Sequence, residues 1–303
     1  MTYSVVARDP RTGEIGVACQ SHFFGVGSAV NWAEAGVGAV ATQSFVNPDY
    51  GGRGLALMRD GASAEAALRT VLSADPRPDL RQVAIVDAGG SIAVHTGAAC
   101  VGERGSRAGA FYSVQGNMLA GEPVLDEMAA AMEREASLTD RMLAALRAAE
   151  AAGGDLRGSQ AAGILVVSAI RSDRPWAEVR LDLRVEDSAE PVTELARLVR
   201  LKRLTDVVVD VLFAEGLMLG DFVEPEPGAL DRALDALAAV ADEFGAANLE
   251  AALWRAVLLA RAGRADEASG AMEELVGRRA QLGALLDQLR TAGFFGAGAA
   301  EQR

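Results

Sequence analysis

Short runs of apolar residues, separated by turn-forming residues, dominate the first two thirds of the chain. Residues 3–7 and 15–19 predict the two strands of a hairpin, because the segment 9–13 between them contains Pro10 and Gly13. Runs of similar length predict six further strands. These strands are expected at 36–42, 81–87, 91–95, 111–115, 161–168 and 177–185.

Apolar residues spaced three and four positions apart predict helices between and after these strands. In the segment 123–135, for example, Val124 and Met128 fall on one face. Ser63 is a suitable N-cap for a helix predicted at 64–72. The other helices before the final quarter are expected at 55–59, 138–152 and 191–213.

The order of these elements predicts antiparallel sheets with helices outside them. The expected fold class is α+β, with two antiparallel sheets packed face to face and helices on both outer faces, as a four-layer αββα sandwich. A doubly wound parallel sheet is not indicated, because strands and helices do not alternate. The segment 25–30 also lacks the third glycine of a dinucleotide-binding loop.

The last quarter of the chain has a different character. We expect an αββα domain over residues 1–219, a linker at 220–228, and a small all-helical region at 229–303. Residues 248–268 resemble one tetratricopeptide-type helix pair, with Gly263 at its turn. So few repeats cannot form a stable solenoid, so this region is expected to pack on the main domain or on another subunit. A plain helical hairpin without a ligand is the alternative.

Charge narrows the choice of partners. The 303-residue chain has a formal net charge of −13, and Lys202 is the single lysine among its 29 basic residues. Without a basic cluster, neither nucleic acid nor an anionic membrane surface is an expected partner. We expect a small-molecule substrate and assembly into a homo-oligomer.

Cysteine usage and the apolar runs indicate the compartment. Cys19 and Cys100 are the two cysteines, and they lack a CxxC spacing, which is typical of buried free thiols in a reducing environment. No stretch has the pattern of a signal peptide or of a membrane-spanning helix, so we expect a cytoplasmic protein. Because the two histidines and two cysteines are scattered, we expect no metal site and no cofactor.

The start of the first predicted strand carries a candidate catalytic group. A small second residue such as Thr2 normally permits removal of Met1, which leaves Thr2 with both a hydroxyl and a free α-amine. A hydroxyl is a poor nucleophile alone, and an adjacent amine with an ordinary pKa of about 8 can act as its base. The alternative is that Thr2 is simply the β-branched first residue of an edge strand.

Several ordered blocks of the sequence resemble a bacterial family known as domain of unknown function 1028, which is similar to the N-terminal-nucleophile (Ntn) hydrolases. The resemblance covers the chain up to about Asp210, and the helical tail lies outside it. The blocks lie at 2–9, 12–18, 33–43, 47–51, 115–119, 148–154 and 181–185.

This resemblance implies an αββα sandwich like that of proteasome subunits and other Ntn amidohydrolases. Such enzymes expose an N-terminal Thr, Ser or Cys on the first strand, and its amine acts as the base in hydrolysing an amide bond. Thr2 matches that position. Removal of Met1 alone is expected to unmask the nucleophile.

One departure from the family concerns positive charge. The family often has a lysine where this chain has Leu156, and Lys202 lies on a predicted peripheral helix. Proteasome-type enzymes also place a lysine near the nucleophile. Arg8 or Arg184 is expected to supply the charge instead, because arginine keeps its charge in buried sites. Asp9 is expected to orient the α-amine or Arg8, or else to cap a turn.

Polar residues at the ends of neighbouring predicted strands complete the expected pocket. Asn117 follows a predicted strand and is expected to offer its amide to an oxyanion, unless it is a turn or helix-entry residue. Ser21 and His22 follow the strand that pairs with the first one. His22 is interpreted as a proton shuttle or substrate contact, or as an ordinary loop residue. Thr42 and Gln43 end another strand and are expected to line the same pocket.

Two functions follow from these residues. The first is an Ntn hydrolase of a small amide, with Thr2 as its nucleophile. The second is a non-catalytic binding or assembly module that keeps the sandwich fold, while the helical tail recruits a protein partner. A thiol–imidazole pair of His95 and Cys100 and a Ser-His-Asp site are disfavoured, because neither is bracketed by its usual motif.

Overall fold

The computed structural model describes residues 2–295, which divide into two compact units between Val199 and Arg200. The strands are β1 (Thr2–Arg8), β2 (Ile15–Ser21), β3 (Asn31–Glu34), β4 (Gly38–Ser44), β5 (Arg81–Asp87), β6 (Ile92–Thr96), β7 (Glu103–Ala108), β8 (Tyr112–Leu119), β9 (Ala161–Val167) and β10 (Val179–Val185). The helices are α1 (Val26–Val30), α2 (Asp49–Arg59), α3 (Ala64–Ala74), α4 (Pro123–Met132), α5 (Leu138–Ala151), α6 (Pro191–Leu212), α7 (Ala229–Phe244), α8 (Glu250–Arg261), α9 (Ala265–Arg278) and α10 (Leu282–Thr291).

All of these strands belong to two antiparallel sheets in the first unit. The six-stranded sheet has the order β10-β9-β2-β1-β8-β7, and the four-stranded sheet has the order β3-β4-β5-β6. Strand β1 is therefore central, between β2 and β8. Its register pairs Tyr3 with Gln20 of β2 and Thr2 with Asn117 of β8.

The alternation of side chains along β1 divides them between two cores. Tyr3, Val5 and Ala7 pack in a core with α4, α5 and the first part of α6. Val6 lies in a second core between the two sheets, with Ala39 of β4. One face of the six-stranded sheet thus carries helices and the other carries a sheet.

The four-stranded sheet likewise has the other sheet on its inner face and helices on its outer face. Leu55 of α2 and Leu68 of α3 pack against Val40 and Ile85 on its outer face. The layers therefore run helices, sheet, sheet, helices. The predicted α+β fold with four αββα layers is confirmed.

The hydrophobic pattern misses α1, β3 and β7, each for a local reason. β7 is a polar strand at the edge of its sheet, while β3 and α1 are too short to show a period. The predicted start of α2 is wrong, because the helix begins at Asp49 and includes glycines. Gly51 is required there, since a Cβ atom would lie 2.2 Å from the ring of Trp32. The predicted N-cap Ser63 is confirmed and accepts a backbone hydrogen bond from the first turn of α3.

The second unit consists of helices. Leu237 of α7, Leu258 of α8 and Leu275 of α9 lie in its buried core. Gly263 makes the turn between α8 and α9 with a φ of 73°, a backbone conformation that glycine adopts without strain. The likeness of this pair to a tetratricopeptide unit stays a prediction.

The boundary between the units falls inside a helix. The first residues of α6, including Val192 and Leu195, belong to the core of the first unit, whereas Val208 and Val211 belong to that of the second. The segment 220–228, expected as the linker, is a turn-rich connection before α7. Across residues 2–295, the helices are too short or too polar to cross a bilayer.

Asp9 stabilises the turn between β1 and β2. Its carboxylate is 1% exposed and accepts hydrogen bonds from the Arg11 backbone N–H and from Arg141 of α5, both at 2.8 Å. Burial alone would raise its pKa, but the bonds from Arg11 and the charge of Arg141 lower the pKa of this carboxyl below its usual value. The alternative reading of Asp9 as a turn-capping residue agrees with this geometry.

Asp9→Asn should lower the free energy of unfolding by about 2 kcal/mol at pH 7, because a buried charge-assisted hydrogen bond to Arg141 is weakened. A folded-state pKa below the unfolded value, about 3.9, stabilises the fold above that pH, and the contribution is lost as pH falls through the folded pKa. The difference between wild type and variant should therefore shrink below about pH 4.

Urea unfolding followed by circular dichroism at several pH values measures this difference. Asp173→Asn serves as the control, because the Asp173 side chain is 97% exposed. A wild-type advantage that stays constant from pH 7 to pH 3 would contradict the assignment.

Candidate active site

Thr2 is held at the end of β1, with its side chain between the two sheets. It lies on the same face of β1 as Ser4 and Val6, and it is 7% exposed. The Thr2 hydroxyl donates a hydrogen bond to Ser21 Oγ at 3.1 Å. Ser21 is the last residue of β2, and antiparallel pairing of β2 with β1 brings the two hydroxyls together.

An ion pair between a buried carboxylate and a partly exposed guanidinium lies next to these hydroxyls. Arg157 donates a hydrogen bond to Ser21 Oγ at 3.2 Å, and its guanidinium pairs with the Asp155 carboxylate at 3.2 Å. The Asp155 side chain has no exposed surface and also accepts the backbone N–H of His22 at 3.0 Å. The Ser21 hydroxyl therefore connects the Thr2 hydroxyl to the positively charged guanidinium of Arg157.

The turn after α5 brings this ion pair to β1. Gly153 and Gly154 have φ values of 107° and 53°, which let the chain reverse directly after the helix. Asp155 then forms a single antiparallel bridge with Leu119 at the end of β8. Because β8 neighbours β1, Asp155 and Arg157 reach the same end of the sandwich as Thr2.

Two side-chain amides, linked to each other through a third, hold the Thr2 carbonyl oxygen. Gln43 of β4 donates to the Thr2 carbonyl oxygen at 3.0 Å, and Asn117 of β8 donates to it at 3.5 Å. Both amides also donate to Gln82 Oε1, at 2.8 Å and 3.0 Å. Gln82 in turn donates to the Gly116 carbonyl oxygen at 2.8 Å. This amide cluster joins the two sheets.

The polar layer continues one step inward from Thr2. Ser4 donates to Gln43 Oε1 at 2.6 Å, and Gln115 donates to Ser4 Oγ and to the Ala41 carbonyl oxygen, each at 3.2 Å. All these side chains are completely buried. Buried polar groups destabilise a fold unless they are hydrogen-bonded, so the layer constrains the position of Thr2.

Two strained residues border the amide cluster. Ser44, directly after Gln43, has a φ of 71°, and Met118, directly after Asn117, has a φ of 51°. They are the non-glycine residues with positive φ in the described chain. Such conformations are rare for side chains with a Cβ and concentrate at functional sites. Both strands thus bend immediately beyond the amides that hold Thr2.

The phenol of Tyr3 and the thiol of Cys19, on the two paired strands, have raised pKa values. Burial, with Glu150 and Asp155 nearby, raises the pKa of the Tyr3 phenol well above its usual value. Burial likewise raises the pKa of the Cys19 thiol, which stays protonated at neutral pH. His95 and Cys100, considered above as a pair, contact the separate carbonyl oxygens of Pro78 and Arg81.

The structure brings together four of the residues singled out in the sequence, namely Thr2, Ser21, Gln43 and Asn117. Asn117 lies inside β8 and not after it, and its amide is engaged by the Thr2 carbonyl and by Gln82. The His22 backbone belongs to the site through Asp155, whereas its side chain is exposed.

The other expected residues lie elsewhere. Thr42 points to the outer face of its sheet, where its hydroxyl donates to the Asn47 carbonyl oxygen. Arg8 and Asp9 are at the opposite end of β1, about 20 Å along the strand from Thr2. Arg184 lies on β10, three strands away, and pairs with Asp182. These side chains are therefore not part of the Thr2 pocket.

Three contributors were missed in the sequence: Gln82, Asp155 and Arg157. Gln82 is a polar residue on the same face of β5 as inward-facing apolar residues, and this is the one local signal that it has a role. In the sequence, Asp155 and Arg157 resemble ordinary turn residues, and only the folded chain brings them next to Ser21. Within residues 2–295, no three His, Cys, Asp or Glu side chains form a metal-binding group.

The model of the "Family of unknown function (DUF1028)" matches residues 2–195. The chain belongs to this family. The match includes β1 with Thr2, both sheets, and the turn that carries Asp155 and Arg157. The DUF1028 part of the chain therefore contains every residue of the candidate site.

Several solved structures are similar to this chain, including the following two. Protein SPO2555 from Silicibacter pomeroyi, of the same DUF1028 family, is 32% identical, with coverage of 66% of this chain and 88% of its own, and a TM-score of 0.59. Anbu (ancestral beta-subunit) from Yersinia bercovieri is 12% identical, with coverage of 67% and 96% and a TM-score of 0.33. No curated protein was found to match the sequence.

Gln82→Met should destabilise the protein by about 2–3 kcal/mol, because the buried amides of Gln43 and Asn117 lose their shared acceptor while the volume is kept. Urea unfolding measures this loss. Thr96→Val is the matched control, since Thr96 accepts one bond from the same Gln82 amide and is half-buried. Equal stability of the Gln82 and Thr96 variants would show that the cluster does not hold the sheets together.

Proposed function

We propose that the protein is an Ntn hydrolase that cleaves a small, non-peptide amide bond, with Thr2 as nucleophile once Met1 has been removed. The observation that carries this proposal is the chain of contacts from the Thr2 hydroxyl through Ser21 to Arg157 and Asp155. Membership of DUF1028 and the four-layer sandwich support it, because Ntn enzymes hold their nucleophile at the start of a central strand of such a fold.

Every bond made or broken in the reaction belongs to Thr2, water or the substrate. Thr2 Oγ attacks the amide carbonyl carbon while its proton passes to the α-amine. The C–N bond then breaks, and the leaving nitrogen takes that proton. Water attacks the resulting ester on Thr2, with the amine again accepting a proton. The amine returns this proton to Oγ as the carboxylic acid is released.

Arg157 takes the role expected for the family's lysine. A fixed positive charge near an amine disfavours the ammonium form and so lowers the amine pKa from its ordinary value of about 8. The neutral amine can then act as a base near pH 7. The same charge stabilises the negative oxygen that develops during attack. Asp155 keeps the guanidinium in place beside Ser21.

Gln43 and Asn117 act as positioning residues. Their amides fix the Thr2 carbonyl, so the Cα and the hydroxyl of Thr2 have little freedom to move. An ordered nucleophile removes much of the entropic part of the barrier. This interpretation replaces the expectation that Asn117 donates directly to the oxyanion.

Intact-mass spectrometry of the purified protein tests the proposal. We expect loss of the Met1 mass and, after exposure to a β-lactone, one added acyl group on Thr2. Thr2→Ala should reduce the acylation rate by at least about a thousandfold, whereas Thr2→Ser should retain much of it. Thr205→Ala is the control, because Thr205 bonds only within α6. Retention of Met1, or acylation of Thr2→Ala at the wild-type rate, would favour the non-catalytic module.

Removing the charge of Arg157 should change the pH dependence of this acylation. In Arg157→Met the amine pKa rises, so the rising limb of rate against pH moves up by about one pH unit. Arg157→Lys keeps the charge and should keep the limb near the wild-type position. The measurement is the β-lactone acylation rate from pH 5 to 9. Coincident limbs for all three proteins would remove Arg157 from the mechanism.

A further inference from the structure

Large apolar side chains are exposed around the end of the sandwich that holds Thr2. Among residues 2–199, eleven large hydrophobic side chains are exposed, and six of them lie in loops at this end. Among these six, the most exposed are Leu156 at 67% and Phe24 at 66%. The six residues, here called the apolar rim, are Phe23, Phe24, Phe45, Val46, Val101 and Leu156.

Chain connections place each part of the rim next to the site. Phe23 and Phe24 follow Ser21 and His22 directly. Leu156 stands between Asp155 and Arg157, so it is flanked by the two halves of the ion pair. The rim therefore borders the site from the side of the six-stranded sheet.

The other three residues of the apolar rim lie in two further loops beside the site. Phe45 and Val46 follow the strained Ser44, just beyond the amide of Gln43 that holds Thr2. Val101 accepts a backbone hydrogen bond from the Met118 N–H at 2.9 Å, next to Asn117. Four separate loops thus present apolar side chains around a single polar centre.

We propose that the apolar rim binds the acyl group of the substrate, so that the protein hydrolyses amides of apolar carboxylic acids. This inference rests on the proposed function. A small-molecule site has mostly apolar walls with a few fixed polar groups, and the rim around Thr2, Ser21 and Arg157 has that composition. The acyl group forms its bond to Thr2 in the first step and loses it in the second, so a wall beside Thr2 would contact the acyl group in both steps.

A second copy of the chain seated on the rim would cover the Thr2 hydroxyl, which a substrate must reach in the proposed hydrolysis. Arg157 is 37% exposed at the centre of the rim, where a small molecule can reach its charge. A carbonyl group placed at Thr2, with an apolar chain leading away from it, satisfies both the polar centre and the rim.

The test uses p-nitroanilides of straight-chain acids from acetyl to octanoyl with the full-length protein. For wild type, kcat/KM should rise about three- to fourfold for each added methylene until the rim is covered. In Phe45→Ser and Leu156→Ser this increase should largely vanish, so the octanoyl compound loses the most kcat/KM and the acetyl compound the least. Trp176→Ser is the control, because Trp176 is 72% exposed beyond the opposite end of β9.

Three outcomes would overturn the inference. The first is a flat chain-length dependence in wild type, and the second is an unchanged slope in both rim variants. The third is a rim variant that becomes monomeric by sedimentation while its slope stays that of wild type, which would make the rim a subunit interface.

Failure of the proposed hydrolase activity is distinguished by binding. Octanamide should bind Thr2→Ala more tightly than acetamide in calorimetry, and Phe45→Ser in that background should remove the difference. If this holds without turnover by wild type, the rim binds apolar amides and hydrolysis is wrong. Turnover of all chain lengths at one rate, with equal binding of both amides, leaves the hydrolase and rejects the rim.

Discussion

The candidate site depends on the pairing of β1 with its two neighbours. Antiparallel pairing places Thr2 opposite Asn117 and beside Ser21, and the two-residue period of side chains turns Thr2 toward the facing sheet. A slip of one residue would place Tyr3 there and move the hydroxyl among the helices. Val5 opposes such a slip, because it belongs to the helix-side core. Apolar packing thus specifies the register, and the register specifies which side chains surround Thr2.

The interior between the sheets changes character along its length. At one end small apolar residues such as Val6 and Ala39 let the sheets pack closely, and at the other end a layer of amides and hydroxyls takes over. The buried amide of Gln82 is tolerated there because it has partners on both sheets. A polar layer of this kind is rigid in a way that apolar packing is not, since its bonds are directional.

Much of the fold follows from the sequence, and only part of the site does. Apolar runs and turn residues predict the central strands. A strand buried on one face alternates apolar and polar residues, and a strand buried on both faces is a short continuous apolar run. Strand β7 shows no such period, since a polar edge strand needs none. Thr2 could be predicted because its chemistry is local to one residue. Asp155 and Arg157 could not, because their role comes from a turn that only the folded chain brings to β1.

The same register has a practical consequence for handling the protein. Residues added ahead of Thr2 leave the pairing of β1 intact, because the strand is fixed by its neighbours and by the core beneath it. Those added residues nevertheless keep the nitrogen of Thr2 in a peptide bond, which cannot accept a proton at neutral pH. A fusion partner or purification tag at this end would give a well-folded protein without its proposed base. Tags therefore belong at the other terminus.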